Sequence, residues 1–387
     1  MPSEQRHLPI GLLAAVLALV LAVAACGGDD GEAPPSSPTA TTPAQTSPTP
    51  QTPIPLTPLP KTPETFGSGC KPGQAQGEGI PGGGGLLAAP PQRALAFQEE
   101  APAGKLAFVS LRDGNEEVYV VDTDGSGETN LTNNPASDFD PDWSPDGSRI
   151  AFVSDREGDL NIYVMQADGS GLQRLSGSAD AEFKPRWSPD GQLIVYACLG
   201  ASDILWLMNA DGSGARPVSI RAPGGDAPLC ADGGLPGGWS PDSQRITFEI
   251  VKSVEGQVQG QVCSVNLDGS GLEVLTDTQP PGLDAEPVVS ADGQLIAFRS
   301  TRDTGDGGQG HNSEVYLMTI DGSDQRNLTA SPANDIEPSW SPDSDWLAFA
   351  SDREGNFDIY LLRPEDGTTV RVTENPAKDS SPAWQPR

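Results

Sequence analysis

The sequence predicts an all-β fold: a closed ring of repeated four-stranded antiparallel units, preceded by a long segment that builds no core. Three observations carry this. The stretch from Trp143 to Gly171, WSPDGSRIAFVSDREGDLNIYVMQADGSG, returns almost to the last residue, with versions of its opening at Trp187, Trp239, Val289, Trp340 and Trp384. These anchors are separated by 44, 52, 50, 51 and 44 residues, a period in the range of propeller blades. The element after the first turn also occurs six times, but one step out of phase with the anchors.

Each part of the unit follows from its residues. Ser-Pro-Asp-Gly puts Pro at the second position of a type I turn, where its fixed φ fits, and Gly at the fourth, so the flanking strands fold back on each other. Ile150 to Ser154 and Ile162 to Met165 are β-branched and aromatic, as strands require. Asp168-Gly169 between strand-like runs is a hairpin signal, because that turn needs positive φ. Four antiparallel strands per unit result. Such a sheet has two apolar faces and cannot bury both alone, so the units stack.

The second strands are Leu106–Phe108, Ile150–Phe152, Ile194–Tyr196, Ile246–Phe248, Ile296–Phe298 and Leu347–Phe349. The repeat region therefore opens with strands two to four of a blade (KLAFVS, EVYVVD, ETNLT) and ends with strand one, Ser381 to Gln385. Pairing these ends completes a six-bladed β-propeller and removes free sheet edges. The unit resembles the WD-like repeat of TolB-type six-bladed propellers, over Lys105 to Arg387. True TolB has a folded α/β domain before its propeller, whereas the segment preceding residue 104 here carries no strand or helix pattern. The resemblance implies, as one reading, a TolB-like component of an envelope complex.

In chain order, residues 1–25 read as an export signal. Arg6 and His7 precede an apolar run from Leu8 to Ala25, and small residues at its end favour cleavage over a short membrane span. The letters VAAC resemble a bacterial lipobox, which implies lipidation of Cys26, and the rest of the chain outside the cytoplasm, in the periplasm or on the cell surface. Residues 26–103 form a tether of Thr-Pro and Ser-Pro pairs followed by Gly-rich sequence. That composition cannot bury a core; as a coil it spans on the order of 50 Å. Residues 104–387 are the propeller.

Lys plus Arg number 23 against 54 Asp plus Glu, a formal net charge of -31. Such a surface repels nucleic acid and anionic lipid, and either favours cations and basic partners or only keeps the protein soluble. The five Cys are Cys26, Cys70, Cys198, Cys230 and Cys263. Cys198 with Cys230 is the preferred candidate disulfide in an oxidising compartment, with free thiols or a Cys263 pairing left open. Zinc is disfavoured because His311 is the one His of the mature chain and no C-x-x-C occurs. There is no G-x-S-x-G elbow, P-loop or dinucleotide fingerprint.

One constellation stands out. Five residues before each anchor stand Asp138, Glu182, Gly234, Asp284, Asp335 and Asp379; three residues before stand Asp140, Lys184, Pro236, Glu286, Glu337 and Ser381. The first strand is innermost in a propeller, so this is a ring of five carboxylates beside the channel, reinforced by Asp140, Glu286 and Glu337. Two readings stand. Each carboxylate accepts backbone N–H bonds or pairs with an Arg of the next blade; or the ring is an acidic mouth for a protein, a basic peptide or a cation. Calcium suits clustered carboxylates, although no loop has the D-x-D-x-D-G spacing.

The Trp anchors read as inter-blade core, and Asp155-Arg156 and Asp352-Arg353 as pairs across turns or between blades. Val251 to Gln261, Thr301 to Ser313 and Ala222 to Gly238 enlarge loops on the inferred face of the ring, which reads equally as a binding surface or as a tolerated insertion. The function this supports is a non-enzymatic envelope lipoprotein, membrane-attached through lipid alone, that binds a partner at an acidic channel mouth. The alternative is a carbohydrate lyase or hydrolase built on Asp and Glu. Some related propellers are pectin-fragment lyases, which this one resembles less for want of His ligands, and its loops at that mouth are poor in Trp and Tyr.

Overall fold

The computed structural model describes residues 101–177, 180–199, 204–220, 234–254, 257–303 and 312–386. The stretch read as an export signal, nearly all of that read as a tether, Cys26, Cys70, Cys230 and His311 lie outside the described residues. Every regular element among the described residues is a β-strand.

The first sheet takes its inner strand from the other end of the chain. Its strands are β1 (Lys105–Ser110), β2 (Glu117–Asp122), β3 (Thr129–Asn130) and, beside β1, β24 (Asp379–Trp384). The β24 to β1 pairing is antiparallel, with Leu106 opposite Trp384 and Ser110 opposite Asp379, so the expected closure of the two ends is present. The Gln385 amide extends it by donating to the Gly147 carbonyl of the next sheet at 3.0 Å.

The second sheet holds β4 (Asp138–Trp143), β5 (Arg149–Ser154), β6 (Asn161–Gln166) and β7 (Gln173–Arg174). In the third are β8 (Ala181–Trp187), β9 (Leu193–Leu199), β10 (Leu205–Asn209) and β11 (Arg216–Pro217). A fourth four-stranded sheet contains β20 (Asp335–Trp340), β21 (Leu347–Ser351), β22 (Asp358–Leu362) and β23 (Thr369–Arg371).

Between the third and fourth lies a sheet of eight strands where separate units of four were expected. It contains β12 (Pro236–Trp239), β13 (Arg245–Val254), β14 (Gln257–Asn266) and β15 (Glu273–Val274), then β16 (Gly282–Val289), β17 (Leu295–Ser300), β18 (Glu314–Thr319) and β19 (Arg326–Asn327). The cause is local. Val251 to Gln261, read above as an enlarged loop, instead lengthens β13 and β14 to ten residues each. The long β14 then meets β16 in parallel, Gln259 opposite Gly282 and Gly260 opposite Leu283. Gly260 permits the approach, because a Cβ there would stand 2.3 Å from the Leu283 side chain.

The turns do what their residues dictate. In the second sheet Gly147 N donates to Ser144 O at 2.8 Å, Ser144 N to Arg149 O at 2.9 Å, and Gly147 takes φ +66°. This is a type I turn closed by a left-handed residue. Where Gly is replaced, Ser243 and Ser344 still adopt φ of 58° and 64°. Their hydroxyls accept the backbone N–H of Asp190 and Asp292, each in a neighbouring repeat, at 3.1 Å.

Apolar side chains pack between successive sheets. Ala107, Val118 and Val120 meet Trp143, Ile150, Phe152 and Met165; Leu106, Phe108 and Val121 meet Ala348, Ile359 and Leu361 on the other side. Each fully buried Phe or Ile contributes roughly 1.5–3 kcal/mol. The five Trp anchors are buried in these layers, as expected of inter-blade core.

Candidate functional site

Five before the anchor, Asp138, Asp335 and Asp379 open their first strands, Glu182 and Asp284 lie one and two residues inside theirs, and Gly234 precedes β12. Asp138, Asp284, Asp335 and Asp379 are 0 % exposed and Glu182 is 2 %. Bare carboxylates so buried would be costly, and each of the four Asp is met by an Arg from the turn after the second strand. Asp138 faces Arg156 at 2.8 Å, Asp284 faces Arg302 at 2.5 Å, Asp335 faces Arg353 at 3.0 Å and Asp379 faces Arg112 at 3.1 Å. The Arg Nε also donates to a strand-end Ser, as from Arg156 to Ser154 at 2.8 Å. The guanidinium lies over the Phe and Tyr of its own sheet, 5.4 Å from Phe152 and 4.8 Å from Tyr163 for Arg156. Glu182 accepts the Ser176 hydroxyl. Burial raises the pKa of Asp335 and Asp379, with Ser351 and Arg353, and Ser110 and Arg112, opposing it.

Each Asp partner belongs to the same sheet, where one reading expected an Arg of the next blade. Asp155 does not pair with Arg156; its carboxylate accepts Ser137 N at 2.9 Å, and Asp352 likewise accepts Asn334 N at 2.7 Å.

The position three before the anchor behaves differently. Asp140, Lys184, Glu286, Glu337 and Ser381 adopt φ of 53°, 47°, 54°, 56° and 51°, at a register shift in each first strand. A bulge re-aims its side chain, and these five line a cavity of about 530 Å³. Their left-handed backbone costs about 1–2 kcal/mol per residue, offset in part by bonds between repeats. Glu286 Oε2 accepts Glu337 N at 2.9 Å, and Glu337 Oε2 accepts Ser381 N at 2.6 Å. Pro236 has no N–H to offer, and the next link is supplied from β13: Glu249 Oε2 accepts Glu286 N at 2.9 Å.

The floor of the cavity is amphoteric. Arg299 pairs with Glu286 at 3.2 Å, and Arg186 and Lys184 stand among the carboxylates. For Glu286 burial is outweighed by Arg299 and Lys184, which hold it below the ordinary value. Glu249 is pushed up by burial against the pull of Lys184. Burial would lower Lys184, but Glu286, Asp140 and Glu249 hold it above the ordinary lysine value. Asp142 accepts Trp187 N at 2.7 Å and is raised to about 6 by burial, eased by Arg186.

Trp143, Trp187, Trp239, Trp340 and Trp384 wall the cavity beside the prolines of the Ser-Pro-Asp turns. They are only 4–8 % exposed, so little of any ring is open to a ligand. Trp239 and Trp340 are fixed by indole N–H bonds to Arg186 O at 3.0 Å and Val288 O at 3.2 Å.

Of the anticipated ring, then, Asp140, Glu286 and Glu337 come together in the cavity, while Asp138, Glu182, Asp284, Asp335 and Asp379 do not line it. The cavity lies at the end of the first strands, on the face of the first turns, and not at their start among the irregular loops. Most of Thr301 to Ser313 and of Ala222 to Gly238 is outside the described residues. Sequence reading missed Glu249, Arg299 and Arg186. A signal for the first two exists: at the fourth position of the second strand the other repeats carry Val109, Val153, Ala197 and Ala350, and two adjacent repeats carry Glu249 and Arg299.

Cys198 and Cys263 are buried on β9 and β14, and burial pushes the Cys263 thiol up to about 12. Among the described residues no group of three or more His, Cys, Asp or Glu is placed to hold a metal ion.

Sheets of four strands packed around a charged channel define the chain as an all-β propeller protein. Residues 94–222 and 305–387, over half of the chain, match the TolB beta propeller domain, and the chain belongs to that family. A segment of 44 residues is 48% identical to the Tol-Pal system protein TolB of Geobacter sulfurreducens, covering 11% of this chain and 10% of that relative. In fold the chain is similar to TolB from Acinetobacter baumannii, with a TM-score of 0.58 and 20% identity over 73% of this chain and 67% of that one. It is similar also to a putative TolB from Agrobacterium tumefaciens, with a TM-score of 0.54 and 17% identity over 74% of this chain and 100% of that one.

Proposed function

We propose that this chain is a non-enzymatic cell-envelope lipoprotein, anchored through Cys26, whose propeller binds a protein, peptide or cation in the channel cavity. The propeller is six-bladed on this reading, the eight-stranded sheet counting as two blades. The observation that carries the proposal is the bulge in five first strands. It spends backbone strain to turn Asp140, Lys184, Glu286, Glu337 and Ser381 into one cavity, and strain repeated at one place is a mark of function. An envelope setting is supported by the relative named as a Tol-Pal system protein, and a TolB-like place in an envelope complex is the nearest form of it. The carbohydrate-enzyme reading draws less support, because sugar stacking needs an open aromatic face and these Trp rings are almost wholly buried.

The test is capture from solubilised envelope with the full chain, beside Asp140→Asn and Glu337→Gln variants of equal melting temperature. A partner held by the wild type and lost by the variants supports the cavity. Equal capture by all three sinks it.

A further inference from the structure

Three residues before the anchor the repeat supplies a carboxylate in three blades and a hydroxyl in one, but Lys184 puts a cation there. The same left-handed bulge turns it into the same cavity as Asp140, Glu286 and Glu337. Its ammonium makes no ion pair or hydrogen bond with a described residue, yet it lies in the field of Glu286, Asp140 and Glu249, drawn from three different repeats. No carboxylate among the described residues is close enough to pair with it, so it offsets their charge through the field and not by contact.

The neighbouring repeat explains the choice. Glu249, Glu286 and Glu337 each accept an N–H from the next position in the ring. A carboxylate at 184 would face Pro236, which has no N–H, and would remain an uncompensated charge beside three others. A lysine there reduces the negative charge of the floor instead.

We propose that Lys184 is the cavity's built-in cation: it compensates Asp140, Glu249 and Glu286 from within the chain and excludes free divalent cations, leaving the cavity to a protein or peptide segment. This rests on the reading of the cavity as a binding site and narrows its occupant. Lys184 is thus a specificity-determining residue, not a structural pin.

The experiment uses the full chain as wild type, Lys184→Arg and Lys184→Met, with calcium chloride alone as the probe, followed by calorimetry and thermal melting. Wild type and Lys184→Arg should show no saturable calcium site and no calcium-dependent melting shift. Lys184→Met should bind at least about tenfold more tightly than wild type, and its melting temperature should rise with calcium but not with sodium at equal ionic strength. Adding Glu286→Gln should abolish the gain. A wild type that binds calcium as well as Lys184→Met overturns the proposal. So does a folded Lys184→Met that ignores calcium, or an unfolded one that calcium does not restore. Envelope capture separates this from the wider reading: calcium uptake by Lys184→Met beside a wild type that captures no partner leaves Lys184 as the internal cation and removes the partner site.

Discussion

The repeats of this molecule are of two kinds. In the sheets built on β1, β5, β17 and β21, an Asp, a Ser, an Arg, a Phe and a Tyr form one buried clamp at the start of the first strand. In the repeats of β8–β11 and β12–β15 parts are exchanged: Tyr196 takes the Phe position in the first while the second keeps Phe248, Trp206 and Cys263 take the Tyr position, and Glu182 and Gly234 the Asp position. The first of them puts Lys184 and Arg186 on the cavity wall, and the second supplies Glu249, which accepts Glu286 N. Charge reaches the channel from both kinds, as Asp140, Glu286 and Glu337 from clamped repeats and as Lys184 and Arg186 from an exchanged one; what the exchanged repeats lose is the clamp.

The largest effect should come from opening a clamp. Arg156→Met leaves Asp138, 0 % exposed, without its cation, and removing one partner of a buried pair costs about 3–5 kcal/mol. Urea unfolding should show that loss, while Glu182→Gln in an exchanged repeat should cost clearly less. Equal losses would mean that the clamp is no special part of folding.

Next in size is a pH effect in the cavity wall. Asp142 titrates near 6 in the folded chain against about 3.9 unfolded. The folded state therefore holds a proton that the unfolded state has released. Its contribution is fully present below about pH 4 and is lost as pH rises through 6, a swing of about 3 kcal/mol. Exposed carboxylates such as Asp146, held down at about 2 by the hydroxyl of Ser144 and the N–H of Ser148, slope the opposite way, so the comparison must be between variants. Asp142→Asn keeps an acceptor for Trp187 N; its stability relative to wild type should rise between pH 4 and 7. A pH-independent difference would refute the assignment.

The sequence made the fold legible because turns and anchors repeat. Pro and Gly at fixed offsets set the hairpins, and the phase shift between Trp384 and Leu106 announced the closure that β24 and β1 make. The candidate site was half legible. Its carboxylates recur at two offsets, two residues apart, and one-dimensional spacing gave both the same ring. A strand alternates its faces, so residues two apart should share a side, but the bulge at Asp140 and its equivalents breaks the alternation and separates the two sets. No residue type announces that bulge, since Asp, Lys, Glu and Ser all adopt it. The joining of β14 to β16 was hidden for a related reason: Gly260 reads as a loop residue, although it serves as the place where two backbones approach.

The glycines of the exchanged repeats sharpen the comparison further. Gly237 lies against the next repeat, where a Cβ would stand 1.9 Å from Pro287 O. Backbone cannot give way as a side chain can, so Gly237→Ala should cost about 1–3 kcal/mol by overpacking. The equivalent positions in the clamped repeats already carry side chains, Pro141 and Pro338. A neutral Gly237→Ala would show that the interface beside β12 has room to relax.

The smallest expected change tests whether bonds between repeats matter at the turn face. Ser243 holds a left-handed φ of 58° and its hydroxyl accepts Asp190 N at 3.1 Å. Ser243→Gly removes a hydrogen bond of about 0.5–1.5 kcal/mol but relieves a left-handed strain of about 1–2 kcal/mol. The two nearly cancel, so the melting temperature should move little. Ser243→Ala keeps the strain and loses the bond, and should be the less stable of the two. If instead alanine matches wild type and glycine is worse, the bond is idle and the serine stands there for its effect on the unfolded chain, which glycine loosens.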